Sequence, residues 1–345
     1  MSKHNQNNLR IKRKYLLWLK DARGLSEASV DKVAASISTY EQFLKGKDFR
    51  AFHIEQARGF KRYLTALRND RNGAPLSGST IGGVLRDIKA FYSWLCDQTG
   101  YKSKLTRSDV DYLTPDKKSD HARRSSLFKP HPSPEQARHV LSKMPMETVI
   151  ERRDRALFAF LFLTASREGA AITIQIGHVD LANRCVQFDG RSVNTKFGKS
   201  FTTAFYPIGA EFERILQDWV TELKHDHLFS NYDPLFPKTK VGVGRSRQFE
   251  ALGIEREAWR SASSVDKIFK SAFERAGLPP YSPHRVRDCI VELANAHCKT
   301  PEDFKAWSQN MGHDDVLTTF RSYGSLSAGR QVELMRRFGD CDLIE

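Results

Sequence analysis

Between Leu113 and Pro134 the hydrophobic periodicity of the chain dissolves, and that break constrains the fold more than any other feature. Pro115, Pro130 and Pro132 punctuate a run of Asp, Lys, Arg and Ser without a sustained period, the pattern of a linker. At 345 residues the chain is also long for a single core. The expected organisation is a helical domain over 1–114, a basic linker over 115–132 and a second domain over 133–345.

The first part reads as helices. Apolar residues recur at helical spacing from Leu9 to Ala22, from Ser26 to Leu44, from Ile54 to Arg68 and from Ser79 to Thr99. The fourth has Ser79 as its expected N-cap and Ile81, Leu85, Ile88, Tyr92 and Leu95 on its buried stripe. Four such helices make a small bundle.

The second part is mixed. Ser133 and Glu135 signal a helix start, and Arg152 to Thr164 is a strongly apolar helix. Short strands are expected at Ile172 to Ile176, Cys185 to Phe188 and Thr202 to Ile208, with turns at Asp180 to Asn183 and Asn194 to Lys199. After Glu211 the pattern is mostly helical again. The fold class is therefore mainly α with a small antiparallel sheet.

Charge narrows the function. Net charge is +14. Residues 1–132 hold 26 Lys and Arg against 13 Asp and Glu; the remaining 213 residues hold 29 against 28. A basic surplus confined to one part suits a polyanion, whose phosphates it neutralises with release of counterions. A merely solvated basic face gives the same count. Five scattered cysteines without a Cys-x-x-Cys pair argue against a disulfide framework or a zinc site. Apolar runs such as Ala156 to Leu163 are too short to cross a bilayer, and the polar, basic start has no secretory stretch, so a cytoplasmic location without membrane association is expected.

Four pieces of the second part carry chemistry. Thr164-Ala165-Ser166-Arg167 ends the apolar helix; an arginine there points into a cleft or simply answers the helix dipole. Asn194 to Ser200 places lysines on a hairpin turn. It is not a phosphate loop, because Val193 stands where G-x-x-x-x-G-K-S/T needs glycine. In Ser282-Pro283-His284-Arg285-Val286-Arg287 a helix starting near Pro283 puts His284 and Arg287 on one face. Two basic residues in a first turn oppose the dipole, whereas together they suit a phosphate. In Met311-Gly312-His313 a histidine follows a glycine, and Tyr323 lies ten residues further on.

Taken in order, these pieces resemble the tyrosine recombinase, or phage-type integrase, family over nearly the whole chain. The first family box is an arginine after a buried helix, here Arg167, with Val179-Asp180-Leu181 behind it. The family lysine lies in a K-T-G-K hairpin, here Lys196-Phe197-Gly198-Lys199 with Lys196 the better fit. The H-x-x-R box is His284 to Arg287, the L-G-H box is Met311-Gly312-His313, and the tyrosine after a T-T-x-x-Y-like stretch is Tyr323. Three positions depart from the pattern. Ala165-Ser166 stands where Gly-Leu or Gly-Met is common; Ala170 replaces an acidic residue three after the arginine, with Glu168 one after instead; and the interval to Tyr323 is one residue longer. A small adjustment of the loop before Tyr323 is expected, not loss of activity.

The resemblance implies a helical core-binding domain followed by an α+β catalytic domain, and site-specific DNA recombination or integration, as on mobile elements. Tyr323 would attack a phosphodiester and form a 3′-phosphotyrosine intermediate. Arg167 and Arg287 would clamp the nonbridging oxygens, His313 would add a hydrogen bond to them, His284 would assist proton transfer at the tyrosine, and Lys196 would protonate the leaving 5′-hydroxyl. It implies no cofactor and no metal, double-stranded DNA as partner, a tetramer on DNA and possible accessory DNA-bending proteins. Contacts to DNA are expected from Arg86, Lys89, Arg123, Arg124 and Lys199. A helix at Ser327 to Phe338, with Val332, Leu334 and Met335, docks on a neighbouring subunit or packs on its own domain. The alternatives are a type IB topoisomerase-like relaxation enzyme and a catalytically inactive DNA-binding protein on the same fold. An RNA-binding module has no aromatic-rich strand motif to support it.

Overall fold

Helix periodicity and its end signals build the first unit. In the computed structural model, described for residues 5–69, 72–115, 130–243, 247–313, 329, 332, 333, 335 and 336, the chain divides into two units, Met1–Ser126 and Leu127–Glu345. The first unit holds α1 (Gln6–Asp21), α2 (Glu27–Leu44), α3 (Ile54–Ala66), α4 (Gly78–Leu95) and the short α5 (Arg107–Val110). The cap of α4 is Ser77, whose hydroxyl accepts from Thr80 N at 3.1 Å, two residues before the expected Ser79. Ser77 wins because its extended backbone leaves the hydroxyl facing the free N–H groups of the first turn.

The core of this unit is aromatic. Tyr15, Tyr40, Phe49, Phe60, Phe91 and Tyr92 are buried together. The two central phenols satisfy each other, with Tyr92 Oη donating to Tyr40 Oη (3.2 Å) and Tyr40 Oη donating to Gln56 Oε1 (3.0 Å). Burial holds both far above the ordinary phenol pKa. Ser36 Oγ donates to Asp87 Oδ2 at 2.7 Å and ties α2 to α4.

The second unit is built around α7 (Val149–Thr164), whose residues Ala156 to Thr164 are all buried. A reciprocal cap between Thr148 and Glu151 starts it. Ahead of it, α6 (Pro134–Lys143) opens with Ser133 paired to Gln136, so Gln136 and not Glu135 completes that cap. Behind it comes α8 (Glu168–Ala171), a single turn. Against α7 lies α9 (Ala210–His225), through Phe212, Leu216, Trp219 and Leu223.

Strands β1 (Val179–Asp180), β2 (Cys185–Phe188) and β3 (Phe201–Ala204) form one antiparallel sheet in that order, with Val179 opposite Val186 and Phe188 opposite Phe201. The expected strand at Ile172 to Ile176 does not form. Ile172, Ile174 and Ile176 are buried as a strand's inner face would be, but the segment takes its hydrogen bonds from the 231–235 loop and makes one isolated bridge, Gln175 with Pro234. A long hairpin, β4 (Pro237–Val243) and β5 (Phe249–Ala258), interrupts the region read as helical after Glu211. Among the described residues α10 (Ser263–Arg275), α11 (Arg285–His297) and α12 (Pro301–Asn310) follow. About 57% of the described residues are helical, and among them the strands form two small antiparallel sheets. Among the described residues no helix is long and apolar enough to cross a membrane.

Candidate active site

Arg287 is the centre of the site. It stands in the first turn of α11 and is 2% exposed. Its Nη1 donates to Ala165 O, and its Nη2 donates to Met311 O at 3.1 Å and contacts His313 Nε2 at 2.7 Å. A guanidinium only donates, so His313 Nε2 accepts and the neutral ring carries its proton on Nδ1. Among the described residues no carboxylate pairs with Arg287; the neighbouring Asp288 is taken by Arg285. A buried cation fixed by two carbonyls and a ring nitrogen keeps most of its charge uncompensated.

Two further cations share its cleft, whose walls include Arg167, Lys196, Arg287, Ser166, Thr195 and Met311. Arg167 follows the end of α7, where Ala165 takes the left-handed conformation (φ 47°) and turns the chain. The same turn exposes the Ala165 carbonyl to Arg287, so one bend positions both arginines. Ser166 lines the same cleft, 9% exposed, and its Oγ has no hydrogen-bond partner among the described residues.

Lys196 arrives on the turn between β2 and β3. Gly190 lets the two sides of that turn meet: a Cβ there would stand 2.0 Å from Gly198 O. Thr195 Oγ1 donates to Lys199 O at 2.7 Å, and Asn194 N donates to Thr173 Oγ1 at 2.8 Å. These bonds hold the turn while Lys196 and Phe197 stay exposed.

His313 reaches the site through a glycine bend. Asn310, at the end of α12, exchanges two hydrogen bonds with Ala204 of β3 (2.7 and 2.9 Å), and its carbonyl accepts from Thr203 Oγ1. Gly312 then takes φ 72° with its Cα against the Phe201 ring, where a Cβ would lie 2.8 Å from Cζ. The His313 pKa is pushed down to about 4, first by burial and then by Arg287, Arg167, Lys196 and Lys199. His284, at the N-cap of α11, keeps an exposed edge. Its pKa is lowered, first by burial, with Glu168 opposing and Arg287 adding to the shift.

Of the six site residues expected from sequence, Arg167, Lys196 and Arg287 line one cleft, His313 contacts Arg287, and His284 stands three residues before Arg287 at the N-cap of the same helix. Tyr323 lies outside the described residues, as do Arg123, Arg124 and Leu334. Arg86 is exposed on α4, while Lys89 pairs with Asp111 (2.8 Å) and donates to Thr114 Oγ1. Lys199 is half-buried at the end of the turn. Val332 and Met335 are exposed. Sequence reasoning missed the supporting residues Asn310, Thr195 and Gly190: the partners of Asn310 are more than a hundred positions away, that of Gly190 is ten away, and the Thr195 bond to Lys199, four away, has no sequence signature.

Residues 130–330 match the sequence model described as the phage integrase family. "Tyrosine recombinase XerC" of Bifidobacterium longum (strain DJO10A) is 22% identical over 175 residues, 50% of this chain and 44% of the relative, so the match spans less than half that protein's length. "Tyrosine recombinase XerC" of Roseiflexus castenholzii is 22% identical over 311 residues, 88% of this chain and 85% of the relative. The crystal structure of a lambda integrase dimer bound to a COC′ core site shares the fold, with a TM-score of 0.64 at 12% identity over 91% of this chain and 76% of that one. The family model covers well over half of the chain and all five of the described site residues, and the chain belongs to the phage integrase family of tyrosine recombinases.

Proposed function

We propose that the chain is a site-specific DNA recombinase that cuts and rejoins double-stranded DNA through a 3′-phosphotyrosine intermediate at Tyr323. The carrying observation is the buried Arg287, unpaired with any carboxylate among the described residues, sharing a cleft with Arg167 and Lys196. Such a site binds an anion with several oxygens, and a backbone phosphate has the right charge and size.

In the proposed step the Tyr323 oxygen forms a bond to phosphorus and the bond to the 5′-oxygen breaks. The phenol proton passes to His284, whose lowered pKa keeps it unprotonated at neutral pH and able to accept. Lys196 gives a proton to the departing 5′-oxygen. Arg167 and Arg287 hold the nonbridging oxygens as charge builds on them. His313 holds Arg287 through Nε2. A phosphate in the cleft offsets the four cations that depress its pKa, so the ring gains basicity as the substrate arrives and can hydrogen-bond to the phosphate. The phosphotyrosine bond conserves the energy for rejoining, so no nucleotide cofactor enters.

In the same reading 1–114 is the core-binding domain, 115–132 a basic linker and 133–345 the catalytic domain. Rejoining to a new partner needs two DNA sites held together, which a tetramer supplies. Exposed Val332 and Met335 suit docking of the C-terminal segment on a neighbouring subunit. Accessory DNA-bending proteins fit the same assembly, and the enzyme acts in the compartment that holds the DNA, the cytoplasm.

A plasmid with two copies of a DNA site, recovered from the covalent adducts the chain forms with a randomised duplex library, tests the reading. The expected products are an excised circle and a shortened plasmid. Relaxation of supercoils without those products would make the chain a topoisomerase. DNA binding with neither outcome would make it a binding protein only.

A further inference from the structure

Phe197 is 82% exposed and sits at φ 64°, ψ 20°, in the left-handed region that bulky side chains avoid. Gly198 follows at φ 65°. Two consecutive left-handed residues form a turn that glycine or asparagine fits best, and the chain supplies glycine only at the second position. The fold gains nothing from the aromatic. The turn is held by Thr195 Oγ1 to Lys199 O (2.7 Å), Gly198 N to Thr195 O (3.2 Å) and Gly190 N to Ser200 Oγ (3.0 Å), none of which involves the ring. The Lys196 ammonium lies over the ring, 5.0 Å from its centroid.

An apolar ring is therefore displayed on the turn that carries Lys196 into the cationic cleft, at the cost of an unfavourable backbone conformation. A ligand that meets this turn has negative charge beside flat apolar faces. DNA has both, phosphates flanked by bases, and aromatic side chains pack on exposed bases or wedge between base steps.

We propose that Phe197 is a positioning residue that packs its ring against a nucleobase beside the phosphate served by Lys196. The inference rests on the functional reading above and adds to it a contact to a base. Because Lys196 Nζ rests over the same ring, seating the ring fixes the ammonium near the leaving oxygen.

The test uses the full chain and a duplex recovered from its own covalent adducts in a randomised duplex library. 2-Aminopurine is placed singly at the bases flanking the cleavage phosphate, and Phe197→Tyr, Phe197→Leu and Phe197→Asn are compared with wild type. The proposal expects a fluorescence change at one flanking position on binding, kept in Phe197→Tyr and lost in Phe197→Leu and Phe197→Asn. Adduct formation should fall roughly ten- to a hundredfold in the last two, the range that one base–aromatic stack supplies. Phe197→Asn should also melt higher than wild type, since asparagine tolerates the left-handed backbone; a residue serving only the fold would melt lower. An unchanged fluorescence response and adduct rate in Phe197→Leu, with wild type forming its adduct, would overturn this inference and leave the functional reading standing. No adduct from wild type on any library member would overturn both.

Discussion

Arg287 shows how one side chain can mark a site. Its guanidinium is buried against Ala165 O, Met311 O and His313 without a carboxylate among the described residues, so it is stabilised fully only when an anion enters. Lysine cannot reproduce its fork of donors. Arg287→Lys and Arg167→Lys should each slow single-turnover DNA cleavage by roughly 10²–10³-fold, the usual effect of losing one charge-stabilising donor. Ala165 pays a local cost for the bend that both arginines use, since it holds φ 47° with a Cβ. Ala165→Gly should raise the stability of the second unit by about 1 kcal/mol, read from denaturant midpoints. At this scale Arg167, His284, Arg287 and His313 were singled out by the order of several weak motifs and the family resemblance they make together, not by any one of them alone. Ser166 and Phe197 were not, because a hydroxyl without a partner and a left-handed backbone arise only from tertiary packing.

At the level of elements, the turn between β2 and β3 depends on a close approach of backbone to backbone. Gly190→Ala would drive a Cβ into Gly198 O and push the Lys196 turn outward. Cleavage should fall by about a hundredfold, as expected for a displacement near 1 Å, while DNA affinity measured by anisotropy changes little. Strand β2 was legible with its bounds, Cys185–Phe188, because turn residues flank a short apolar run. Two segments misled. Ile172 to Ile176 alternates like a strand, yet its neighbour is an irregular loop and no ladder forms. Strands β4 and β5 went unread because most of their residues are exposed or only partly buried, so neither carries a clean in–out alternation. Their anchor is a buried arginine instead: Arg153 of α7 donates to Pro237 O and Thr239 Oγ1 and lies under Trp259.

For the whole molecule, the mainly helical class was legible in the apolar spacing of the helices, and the chain divides into units Met1–Ser126 and Leu127–Glu345. The assembly of the site was not legible there, since it joins the ends of α7, α11 and α12 with a turn of the sheet. Its electrostatics predict a pH response. The unfolded His313 titrates near 6.5 and the folded one near 4, so the unfolded chain binds the extra proton between those values. Stability should therefore be full above about pH 6.5 and decline as pH falls towards 4, by up to on the order of 3 kcal/mol from this group, with His284 acting in the same direction. His313→Asn should flatten that decline in pH-dependent denaturation. The most direct check on the central claim is a map of the covalent bond itself: the chain is incubated with DNA, digested, and the nucleotide-bearing peptide sequenced by mass spectrometry. A 3′-phosphate linked to Tyr323, absent in Tyr323→Phe and strongly reduced in Arg287→Lys, is the expected result. Attachment at another residue, or an equal yield of adduct in Tyr323→Phe, would contradict the account.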